Sequence, residues 1–173
     1  MLHPFATWAR RVHRQAAITR ASPDGVDRSN AGSGRACFGA TWVYRLFMAS
    51  PTTVLVADDE SDLRLLVGVA LRAAGYTVVD EASDGDEALA VMARLGPPLV
   101  PAVMILDNKM PGLSGLEVAE RVLAKLPAQP IILFSAYLDT ELVRRATEIG
   151  IRGCLAKTDI ARLPALIAAM VAD

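Results

Sequence analysis

Val103-Met104-Ile105-Leu106-Asp107-Asn108-Lys109-Met110-Pro111-Gly112 is the stretch that decides how this chain reads. Four apolar residues run into a carboxylate, and a Pro-Gly pair breaks the run within five residues. A short apolar run between breakers is a buried strand. Asp107 then stands at the strand's carboxyl end, the edge where open α/β sheets bind ligands. An isolated Asp in that place is more often a helix cap or a turn residue, so the rest of the chain has to decide.

From Thr53 onward the same pattern recurs. Thr53-Val54-Leu55-Val56-Ala57 is a strand that ends in Asp58-Asp59-Glu60. Ser61 is placed to cap a helix whose inward face is Leu63, Leu66, Val67, Ala70, Leu71 and Ala74, and Gly75 stops it. Tyr76 to Glu81 is a second strand, and Asp84 with Glu87 has capping-box spacing for a helix to about Leu95. After the third strand, Leu116, Ala119, Val122, Leu123 and Leu126 mark the inward face of a helix that Pro127 follows. Ile131-Ile132-Leu133-Phe134 is the fourth strand. A helix from about Asp139 to Ile149 turns Leu142, Val143, Ala146 and Ile149 inward, and Gly150 closes it. Arg152 to Ala156 is a short fifth strand ending at Lys157, and a last helix begins near Ile160 with Pro164 in its first turn. Five strands alternating with five helices through short connections make a doubly wound parallel α/β sheet with helices on both faces.

Composition sets bounds on the rest. The chain has 173 residues, is 53% hydrophobic and 21% charged, and carries a net charge of −1. Residues 1–47 hold seven Arg, two Asp and no Lys, a balance of +5; the remainder is acidic at −6. An acidic domain of this kind lacks the clustered basic surface that nucleic acid needs. Cys37 and Cys154 form no metal-ligand or disulfide pattern, which suits a reducing, cytoplasmic setting. No apolar run has the length of a membrane span.

Residues 1–50 are a basic, irregular extension rich in aromatic residues, with Ser-, Gly- and Pro-containing loops. They read as a basic docking arm, a targeting segment, or upstream sequence outside the working protein. The third reading is favoured, because Met48 lies just ahead of the first strand. The domain itself is then 51–173.

At the strand ends the sequence collects Asp58 and Asp59, Asp107, Ser135 and Lys157. Converging carboxylates repel unless a cation sits among them. An all-oxygen set suits Mg²⁺, which takes one or two carboxylates plus phosphate oxygens. A carboxylate can accept a phosphoryl group as a nucleophile, and a Lys ammonium and a hydroxyl can stabilise the charge on its oxygens. Asp107 is therefore the candidate phosphoryl acceptor. Asp58 and Asp59 are candidates to hold Mg²⁺, and Lys157 and Ser135 to contact the phosphoryl oxygens.

Asp58-Asp59, Asp107 with Met110-Pro111 and Gly115, Ser135-Ala136, and Lys157 together resemble the receiver domain of two-component response regulators, from about Thr53 to Ala172. The resemblance implies a flavodoxin-like fold with strand order 2-1-3-4-5. It also implies phosphoryl transfer to Asp107 from a sensor histidine kinase or histidine phosphotransfer protein. Mg²⁺ would be held by Asp58, Asp59, Asp107 and the backbone carbonyl of Lys109, and a downstream protein would dock on residues 139–170. The side chains of Lys109 and Tyr137 fall where the family tunes loss of the phosphoryl group, and Lys109 is expected to prolong it. Two departures stand out. Thr158 follows Lys157 where the family often has Pro, and Cys154 replaces the usual aromatic residue three positions before that Lys. Only about sixteen residues follow Lys157, so the expectation is a single-domain receiver without an output domain. A phosphohydrolase of related chemistry is the rival, but its D-x-D motif and cap insertion are missing here. Nucleotide binding lacks a P-loop.

Overall fold

The computed structural model describes residues 51–96 and 99–172. The expectations for the extension at 1–50 lie outside the described residues.

Five strands, β1 (Thr53–Ala57), β2 (Thr77–Ala82), β3 (Val103–Asp107), β4 (Ile131–Ser135) and β5 (Gly153–Ala156), form one parallel sheet in the order β2-β1-β3-β4-β5. The helices are α1 (Ser61–Ala73), α2 (Gly85–Leu95), α3 (Gly115–Leu123), α4 (Thr140–Ile149) and α5 (Leu163–Val171), with a 3₁₀ turn over Lys157–Arg162 before α5. The flavodoxin-like expectation is met, and each strand runs within a residue or so of its sequence reading.

Alternate residues of the strands feed two separate cores, as the two-residue period of a strand requires. Val54, Val56, Ile105, Ile132 and Phe134 pack on one face with Val67 and Leu71 of α1 and Leu163 and Ile167 of α5. Leu55, Met104, Leu106, Ile131 and Leu133 pack on the other with α2, α3 and Ala146 of α4. Burial on both faces explains why the central strands are unbroken apolar runs rather than alternating ones.

The helix starts show three capping solutions. Asp84 and Asp139 each accept the backbone N–H three residues on, from Glu87 and Leu142, at 2.7 Å. Ser114 and Glu117 form a reciprocal capping box ahead of α3. At α1 the expectation changes. Ser61 is the first helical residue, not the cap; Glu60 holds the cap position without a side-chain bond, and Asp58 Oδ1 accepts the Glu60 N–H at 2.9 Å. The cap is absorbed into the acidic loop because the Asp58 side chain lies under it. On α1, Leu66 and Ala74 face outward rather than inward, and Leu66 is 53% exposed beside Leu65 at 62%. The sheet is covered by the narrower Val67–Leu71 stripe. Val143 is likewise exposed on α4.

Candidate functional site

Strand register creates the site. Ala57 pairs with Leu106, so Asp58 and Asp107 follow one another side by side at the sheet's carboxyl edge, where adjacent strands lie about 4.8 Å apart. Asp107 pairs with Phe134, and Ser135 with Ala156, which brings Ser135 and Lys157 to the same edge. The chain order reverses between β1 and β3, the switch point at which such sheets bind ligands. After the 108–114 loop, the start of α3 can pack directly against the end of β3 because residue 115 is glycine. A Cβ there would stand 2.2 Å from the Asp107 carbonyl oxygen.

Lys157 ties these ends together. Its Nζ lies 3.0 Å from Asp58 Oδ2, 3.1 Å from Asp107 Oδ2 and 3.1 Å from Glu60 Oε1. The Asp58 and Asp107 carboxylates are nearly inaccessible, whereas Glu60 reaches in from an exposed position. Burial pushes the Asp107 carboxyl above the usual carboxylate range, against the pull of Lys157 and the Lys109 N–H, with Asp58 adding to the rise. Burial works against the Lys157 ammonium, but Asp58, Asp107 and Glu60 more than offset it, so its pKa is raised.

Asp58, Asp59 and Glu60 each offer a carboxylate oxygen within 4.8 Å of the others. Asp58 Oδ2 is buried and takes no hydrogen bond among the described residues; its contact with Lys157 is an ion pair. Three carboxylates around one ammonium leave two negative charges uncompensated even before Asp59 is counted. An oxygen-only donor set and this charge deficit fit a hard divalent cation.

Ser135 sits in the edge of the site, but its hydroxyl donates to the Tyr137 carbonyl at 3.0 Å rather than to an acid. Lys109 has its side chain in solvent on the loop after β3. Sequence reading missed Glu60 as a partner of Lys157. The signal was its place directly after Asp59 and ahead of the first helical turn. A separate hollow of about 340 Å³ opens between the C-terminal ends of α3 and α4, lined by Leu123, Ala124, Pro127, Ile149 and Glu120. It has one titratable group and lies away from the strand ends that hold the acids.

A doubly wound sheet with paired acids, a strand-end Asp and a strand-end Lys at its switch point defines a receiver-type domain. The family model of the response regulator receiver domain matches residues 54–168, and the chain belongs to that family. It is 38% identical over 109 residues to the transcriptional regulatory protein PdtaR of Mycobacterium tuberculosis, covering 63% of this chain and 51% of PdtaR. It is 33% identical over 98 residues to a cyclic di-GMP phosphodiesterase of Thermotoga maritima, covering 57% of this chain and 25% of that protein. The chain thus spans about half the length of PdtaR and less of the phosphodiesterase. Among solved structures it resembles the CheX-CheY-BeF3-Mg complex from Borrelia burgdorferi in fold, with a TM-score of 0.67 at 22% identity, covering 72% of this chain and 92% of that one. It also resembles the receiver domain of AraT, a response regulator from Geobacillus stearothermophilus, with a TM-score of 0.62 at 28% identity, covering 71% of this chain and 95% of that one. No helix among the described residues is long and apolar enough to cross a membrane.

Proposed function

We propose that this protein takes a phosphoryl group onto Asp107 from a phosphohistidine of a sensor kinase or phosphotransfer protein, as a cytoplasmic relay element. The observation that supports it most is the Lys157 ammonium 3.1 Å from the buried Asp107 Oδ2, beside the acidic cluster of Asp58, Asp59 and Glu60. A carboxylate oxygen of Asp107 attacks phosphorus, an O–P bond forms, and the N–P bond of the phosphohistidine breaks. The imidazole leaves with the bonding electrons and takes up a proton. Lys157 meets the charge on the phosphoryl oxygens, and Ser135 donates to one of them after releasing the Tyr137 carbonyl. Asp58, Asp59, Asp107 and the Lys109 carbonyl would hold Mg²⁺, with Glu60 at its margin. The ion supplies positive charge against the transferring group. The protein takes part in its own phosphorylation and slow dephosphorylation.

A downstream protein would read the state on residues 139–170. Tyr137 is exposed beside the start of that face, and Val143 is exposed within it. On α4 Arg144 pairs with Glu141 and Glu148. The working domain is taken to begin near Met48. Incubation with acetyl phosphate and Mg²⁺, read by mass, tests the assignment: the wild type gains one phosphoryl group and Asp107→Ala gains none. Mg²⁺-dependent uptake by Asp107→Ala would overturn it.

A further inference from the structure

Arg64 has no part in the phosphoryl chemistry described above, yet it is bound into the frame of the acidic loop. It sits in the first turn of α1 with its side chain 18% exposed. Its Nη1 donates to the Asp58 backbone carbonyl at 2.5 Å, and its Nε faces Glu81 Oε2 of β2 at 3.9 Å. Arg72, two turns along α1, holds the other Glu81 oxygen at 3.5 Å.

Glu81 is available there because of a break in register. β1 and β2 pair Val54 with Val78 and then Leu55 with Asp80, a bulge of one residue. One extra residue moves the following side chains to the opposite face. Glu81, not Asp80, therefore pairs with Val56 on the α1 side, and Asp80 turns to Arg94 of α2.

The main chain of Asp58 is thus held at both ends. Its N–H donates to the Ala82 carbonyl at 3.1 Å, and its carbonyl accepts from Arg64. Its Oδ1 takes the Glu60 N–H. Only Oδ2 is left over, and it points into the pocket at Lys157. Without the Arg64 donor the Asp58 carbonyl loses this partner, and the peptide that leads into Asp59 loses one of the bonds that fix its orientation.

We infer that Arg64, seated by Glu81, is a positioning residue that sets the Asp58-Asp59-Glu60 loop for Mg²⁺. The inference rests on the metal reading of the site given above. Mg²⁺ titration of the full chain, followed by calorimetry and by the Asp59 and Glu60 amide shifts, tests it. Arg64→Ala should weaken Mg²⁺ binding about 10–100-fold, the usual effect of losing a group that orients metal ligands. Arg64→Lys keeps the charge without the planar fork and should fall between. Val67→Ala, in the same helix but in the core, should lower the melting temperature and leave Mg²⁺ affinity unchanged. If Arg64→Ala binds as tightly as wild type, or Val67→Ala loses as much affinity for the same loss of stability, the inference fails. Where Arg64→Ala does not fold, unchanged affinity in Arg64→Lys overturns it. A wild-type chain that takes up no Mg²⁺ overturns the metal reading, and the inference falls with it.

Discussion

Lys157 Nζ stands 3.1 Å from Asp107 Oδ2 while the Asp107 carboxyl is still pushed above its usual pKa. Burial therefore outweighs the ammonium at this carboxylate. A folded-state pKa above the unfolded one means that ionising Asp107 opposes folding. The penalty is absent below the unfolded value and is complete above the folded one. Asp107→Asn should accordingly melt at a higher temperature than wild type at neutral pH without Mg²⁺. The gain should vanish on acidification below the ordinary carboxylate range. A constant difference at all pH values would show that packing, not charge, is responsible.

The Lys109 side chain lies in solvent two residues after Asp107, where, on the proposed function, a flexible ammonium would reach a phosphoryl oxygen or obstruct a water. Lys109→Ala should shorten the life of the aspartyl-phosphate several-fold, measured as phosphate release after the donor is removed. Unchanged or slower loss would count against this role.

Leu71 and Leu65 are on one helix with opposite environments, 0% and 62% exposed. Leu71→Ala should cost about 2–5 kcal/mol in urea unfolding, the transfer term plus a cavity between α1 and the sheet. Leu65→Ser should change stability by no more than about 0.5 kcal/mol. Equal costs would contradict the packing of α1.

Cys154 occupies the place where the family usually carries an aromatic, and it packs against the α2–α3–α4 core. Burial pushes its thiol above the ordinary value, so less thiolate is present at neutral pH than in a free thiol. In a Cys37→Ser background, iodoacetamide should label Cys154 more slowly than a model thiol at pH 7.5. The rate should rise as pH approaches the raised pKa. Labelling as fast as the model thiol would point to a reactive rather than a packed cysteine.

The capping spacing at Asp84, the apolar runs and the Gly150 stop are legible, because each acts within a few residues of itself, whereas the caps at Ser114 and Asp139 came only with the structure. Asp58, Asp107 and Lys157 were legible as a set because a parallel sheet sends every strand's carboxyl end to one edge. Leu66 and Val143 were misplaced inward. A period of three or four residues marks a helical face but not its width, and the width is set by what the helix lies on. Glu60 and Arg64 are not legible because a polar residue at a helix cap or on a first helical turn looks the same whether it faces water or a neighbouring group.

Taken by itself, the sequence determined the strand–helix alternation, the parallel sheet and the acids and lysine at its carboxyl edge, since periodicity, breakers and strand ends are local properties. Tertiary structure alone decided which groups touch. It settled that Lys157 bridges Asp58, Glu60 and Asp107, that Ser135 bonds the Tyr137 carbonyl, and that a one-residue bulge turns Glu81 toward Arg64. Those contacts join residues up to 99 positions apart, as Asp58 and Lys157 are. They depend on register, and a shift of a single residue in register reverses the face each side chain takes.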